Sequence, residues 1–92
     1  MAMQRVKLFS VSRYVEAALA LAGYDRDEDG LIVASVPGAP GFFAEGTSHE
    51  EARANLEDVI EGNVLLALQL GWEMPVIPGV AIEERDVEAR PA

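Results

Sequence analysis

The tripeptide Glu28-Asp29-Gly30, set between two apolar stretches, limits what this chain can fold into more than any other feature. An Asp-Gly pair accepts the positive φ of a tight two-stranded turn, so the segments on either side must run antiparallel. Tyr24 to Asp27 forms the outgoing arm, and Leu31 to Val36 returns. The returning arm, Leu31-Ile32-Val33-Ala34-Ser35-Val36, is β-branched and nearly continuous in apolar residues, the pattern of a strand covered on much of both faces. It is expected at the centre of a sheet. Pro37-Gly38-Ala39-Pro40-Gly41 cannot continue a ladder, because each proline lacks a donor, so a third strand is expected from about Phe42 to Gly46.

Helical signals flank these strands. Ser10 is placed to cap a short helix from Val11 to Leu21, with Phe9 stapled to Tyr14 across the cap. Val11, Tyr14, Val15, Ala18 and Leu19 then share one face, and Gly23 follows the end. Thr47 or Ser48 opens a longer helix, each with a glutamate three residues on, Glu50 or Glu51, at the capping-box spacing. Ala52, Leu56, Val59, Ile60, Ala67 and Leu70 make its core stripe, and Gly71 is placed to end it. From Val64 to Leu68 this helix is apolar around nearly its whole circumference, more than one sheet face can cover. Val64, Leu65, Leu66 and Leu68, with Trp72, are therefore expected to form an oligomer interface, in a dimer or a tetramer.

Trp72 to Gly79 reads as an extended, proline-pinned segment lying over the helix or a neighbouring subunit. Val80 to Glu84 offers a short edge strand, and Glu83 to Ala92 reads as a solvated tail. The predicted fold class is α+β: a three- to four-stranded, mainly antiparallel sheet packed on one long helix, with an extra short N-terminal helix. Residues 1–82 are expected to form a single domain, with 83–92 as the tail.

Composition restricts the function. At 92 residues, with 50% apolar and 25% charged, the chain has enough hydrophobic material for a modest core and too little polarity for disorder. It has no cysteine, which removes disulfides, thiolate metal sites and cysteine nucleophiles and fits a bacterial or archaeal cytosol. Arg5 and Lys7 precede an apolar stretch as in a secretory signal, but Glu16 interrupts it and the run Ala17 to Ala22 is only six residues. No run approaches the roughly 18 apolar residues of a membrane span, so a cytoplasmic protein without membrane association is expected. Arg5, Lys7 and Arg13 give the first thirteen residues +3, which leaves −12 for the rest of a chain whose net charge is −9. Such a surface repels phosphate backbones and attracts a basic protein.

Several constellations of reactive residues fall short of a site. Asp25-Arg26-Asp27-Glu28-Asp29-Gly30 matches the first half of a calcium loop, but Val36 stands where the twelfth-position carboxylate is required. Asp25, Asp27, Asp29, Glu45 and Asp58 are the candidates for a two-metal phosphodiesterase, yet most fall in a turn or on exposed helix positions, with no histidine or lysine spaced to assist them. His49, the sole histidine, falls in the first turn of a helix and reads as a solvated residue. Ser10, Ser12 and Ser48 are explained as caps, and Gly38 and Gly41 lack a phosphate-loop lysine. No cofactor, metal ligand or catalytic residue is assigned.

The order of these signals resembles that of a known family. Tyr24 to Asp27, Asp29-Gly30, Val33 to Val36, Pro37, Pro40-Gly41, Glu45-Gly46-Thr47, Glu50-Glu51-Ala52, Asn55 and Ile60 are similar to the corresponding run of the HicB-like antitoxins, over about residues 20 to 78. Each motif alone is weak, and their ordered spacing carries the resemblance. It implies a β-β-β-α arrangement like a truncated ribonuclease-H fold without catalytic carboxylates. It also implies a non-enzymatic, protein-binding function: silencing a small basic HicA-like toxin that cleaves messenger RNA. The expected docking residues are Asp25, Asp27, Glu28 and Asp29 of the hairpin, with Glu45 nearby. Two departures stand out. Only 21 residues follow Gly71, so no C-terminal DNA-binding module and no direct DNA binding are expected. The N-terminal helix is additional to the shortest members. The competing readings are a structural homo-oligomer without a toxin and a residual metal-dependent nuclease on the same scaffold.

Overall fold

A computed structural model describes residues 3–88; of residues 3–8 and 84–88 it describes the backbone only. The order of elements is β1 (Met3–Leu8), α1 (Val11–Ala20), β2 (Gly23–Arg26), β3 (Ile32–Val36), β4 (Ala39–Gly46), α2 (His49–Leu70) and β5 (Glu83–Glu88). The strands β2, β3 and β4 form one antiparallel sheet with β3 in the middle, as its β-branched sequence requires. The strands β1 and β5 form a second, two-stranded sheet.

Local chemistry sets most boundaries. The Ser10 hydroxyl accepts from the Arg13 backbone N–H to open α1, and Phe9 meets Tyr14 edge-on with ring centroids 6.0 Å apart. Ser48 caps α2 by accepting from the Glu51 N–H at 3.1 Å. The Glu51 carboxylate reaches back one residue beyond the cap, accepting from the Thr47 N–H at 3.0 Å and from its hydroxyl. Gly71 ends the helix at φ 70°, in the left-handed region where a glycine costs least.

One face of the three-stranded sheet carries Ile32, Ala34, Val36, Phe42 and Ala44 against the buried stripe Ala52, Leu56, Ile60 and Val64 of α2. Tyr14, Val15, Ala18 and Leu19 of α1 complete this core, Tyr14 standing edge-on to Phe42 at 6.3 Å. Gly46 lets β4 approach the start of α2: a Cβ there would lie 2.4 Å from the Ala52 nitrogen. The Asn55 amide, donating to the Glu45 carbonyl at 2.8 Å, ties the same helix turn to the same strand. The segment after α2 is held over the core by Met74 and Ile77 and by the Tyr14 hydroxyl, which donates to the Pro75 carbonyl. Desolvation pushes the Tyr14 phenol above its ordinary pKa of 10.0.

Four expectations are corrected. The third strand begins at Ala39, three residues before Phe42, because the turn needs only Pro37 and Gly38, the glycine at φ 79°. Pro40 is tolerated because β4 is an edge strand and the register breaks between Ser35 and Val36, leaving residues 40–42 without partners. Leu70, assigned to the core stripe, is 53% exposed; the buried row of α2 ends at Ala67. The segment from Val80 adds no strand to the central sheet, and Glu83 to Glu88, read as tail, is β5, paired along its length with β1; residues 89–92 lie outside the described residues. In the backbone register Arg5 stands opposite Asp86 and Lys7 opposite Glu84.

Candidate functional site

The helices cover one face of the central sheet. On the other face, register aligns Asp25, Val33 and Glu45 in one row and Gly23, Ser35 and Phe43 in the next. Period-two alternation produces this face directly: residues between the buried Ile32, Ala34, Phe42 and Ala44 must point the other way. Asp25 and Glu45 are exposed, two strands apart, which at normal strand spacing puts them about 10 Å from each other across Val33. Phe43 is 57% exposed beside them, and a Cβ at Gly23 would meet nothing within 4 Å, so the row is shallow at that end. Carboxylates around an apolar centre suit a cationic surface that also offers hydrophobic contact.

The hairpin residues divide into two groups. Glu28 and Asp29 are exposed at the tip. Asp27 is half-buried and belongs to the turn: its Oδ1 accepts from the backbone N–H groups of Asp29 and Leu31, each at 2.9 Å. Its main chain closes the turn as well, Asp27 N–H to Leu31 carbonyl at 2.8 Å and Gly30 N–H to Asp27 carbonyl at 3.1 Å. Arg26 adds a guanidinium bond to the Gly30 carbonyl. The calcium-loop pattern is thus an Asx turn, and its glycine serves the positive φ of 83°.

The nuclease candidates do not converge. Asp25 and Glu45 lie on the outer face, Asp27 inside the turn, Asp29 at the tip and Asp58 on the exposed side of α2; among the described residues no three acidic or imidazole groups cluster as metal ligands would. His49 is exposed in the first turn of α2, its ring 5.4 Å from that of Tyr24. Among the described residues no helix is long and apolar enough to cross a membrane.

Of the residues assigned to an oligomer interface, Leu65, Leu66, Leu68 and Trp72 are 54, 43, 42 and 56% exposed, whereas Val64 is 1% exposed and belongs to the domain's own core. Leu70 and Val76 join the exposed group. Sequence reasoning missed Phe43, Leu70 and Val76 as surface residues. For Phe43 the signal was present, since it stands two residues before Glu45 on the same strand face.

A family model described as UPF0150-like matches residues 13–75, which includes most of α1, the whole three-stranded sheet and α2. The chain belongs to the UPF0150-like family. A relative in this family, UPF0150 protein Ta0767 of Thermoplasma acidophilum, is 38% identical over 39 residues, a match covering 42% of this chain and 56% of that protein's length. The crystal structure of TTHA0281 from Thermus thermophilus superposes with a TM-score of 0.70 at 30% identity, covering 88% of this chain and 95% of that one. All the outer-face residues lie inside the UPF0150-like match, while β1 and β5 lie outside it.

Proposed function

We propose that this UPF0150-like chain is a non-enzymatic protein-binding domain, an antitoxin-like regulator that covers the cationic RNA-binding face of a small basic, RNA-cleaving HicA-like toxin in the cytosol. The observation that carries the reading is the bare outer face of the sheet, with Asp25 and Glu45 on either side of Val33 and Phe43 beside them, in a chain of net charge −9. Opposite charge speeds docking, and the exposed phenylalanine supplies the apolar contact that slows release. Nucleic acid is a poor occupant of the same face, since phosphates would meet carboxylates. The resemblance to HicB-like antitoxins supports the choice of partner. The docking set is narrower than the hairpin as a whole: Asp25 and Glu45 on the face, Glu28 and Asp29 at its margin, with Asp27 reserved for the turn.

The test is to look for a small basic protein encoded beside this chain and to coexpress the two. The expected result is a stable complex in which RNA cleavage stops. Asp25→Lys with Glu45→Lys should slow association about tenfold at low salt, the difference shrinking as salt is added. Unchanged association would remove the outer face from the mechanism, and the absence of any basic neighbour would remove the toxin.

A further inference from the structure

We propose that the second half of α2 is where two copies of this chain meet, packed across a twofold axis. Residues 62–72 carry no formal charge, although the chain as a whole is at −9 and Glu61 and Glu73 bracket the stretch. Within it and just after it stand Leu65, Leu66, Leu68, Leu70, Trp72 and Val76, between 42 and 89% exposed. At about 100° per residue, Leu65 with Leu68 and Leu66 with Leu70 form two ridges on opposite flanks of the helix, with Gln69 between them on the side away from Val64 and Ala67.

Two observations select a second copy as the occupant. The first is electrostatic. In a twofold contact the same patch meets itself, and a patch without charge spares two strongly acidic chains the repulsion that their carboxylates would cause. The uncharged stretch is such a surface, whereas the outer sheet face, with its carboxylates, is built for an unlike partner. The second is area. The six residues, spread over both flanks of the helix end and the segment after it, together expose on the order of 600 Å², at the upper end of what a monomer commonly leaves apolar and, counted on two chains, at the lower end of stable interfaces. The chain's own following segment leaves the patch open, because it turns Met74 and Ile77 inward to the core and Val76 outward.

The proposal is independent of the toxin reading, and sedimentation of the full chain tests it. The wild-type chain should run as a dimer, or as an assembly built from dimers, at roughly 100 µM. Leu65→Glu with Leu68→Glu should raise the dissociation constant by about thirtyfold or more, with the circular-dichroism spectrum unchanged because both positions are exposed. Asp25→Lys with Glu45→Lys should leave the association state as it is. Leu68→Cys in this cysteine-free chain should give a cross-linked dimer on mild oxidation, whereas Glu28→Cys should not. A wild-type chain that stays monomeric at that concentration overturns the proposal, as does an oligomer indifferent to the double glutamate variant.

Discussion

Asp27 and Tyr14 show how single polar groups hold this small domain in shape. Asp27→Ala removes an acceptor used by two backbone donors of the turn, and should cost about 1–2 kcal/mol in denaturant unfolding while leaving the carboxylates of Asp25 and Glu45 in place for a partner. Tyr14→Phe keeps the ring between Phe9 and Phe42 but frees the Pro75 carbonyl. The expected loss is about 1 kcal/mol, with faster amide exchange in the segment after α2. Because the folded-state pKa of Tyr14 is raised, the folded chain retains its phenolic proton at pH values where the unfolded chain has released it. This contribution to stability is complete below pH 10.0 and is lost as pH rises through the folded-state value, so urea midpoints should fall faster above pH 10.0 in the wild type than in Tyr14→Phe. These residues were unevenly legible. Ser10, Phe9 and Gly71 act on neighbours in sequence and could be read directly. The Tyr14 bond spans 61 residues, and no local pattern announces it.

At the scale of elements, α2 and β4 behave as one unit. Ser48, Glu51 and Thr47 close the start of the helix, and the Asn55 amide and the bare Cα of Gly46 fix it against the strand. Gly46→Ala would force its new methyl group onto backbone atoms of Glu51 and Ala52, which cannot rotate away, and should cost about 1–3 kcal/mol as a lowered melting temperature. Ser48→Ala should cost about 1 kcal/mol through the cap alone. The capping pattern makes the helix start readable, and the Asp-Gly turn fixes the order of β2 and β3. The start of β4 is hidden because proline usually terminates a strand. Its place on an edge strand at a register break, which makes it harmless, is a tertiary fact. Leu70 misleads for a related reason: helical period gives direction around the axis but not where the covering sheet stops.

The whole molecule separates its two surfaces by charge. One bears carboxylates on a bare sheet face, the other leucines on an uncharged stretch of α2, so an unlike partner and a like one need not compete. The acidic balance and the excess of apolar residues on α2 are visible from composition, whereas the assignment of Val64 to the core needs the packed structure. The pairing of β1 with β5 is invisible for a plainer reason. Its strands are separated by the whole domain, and five of the six residues of β5 are charged, the signature of a tail. The same pairing sets Met3 beside Glu88. A few residues of linker could therefore splice the far end of β5 to the near end of β1, and the backbone could be cut at Gly38 instead, yielding a permuted polypeptide whose every native pairing outside that cut survives.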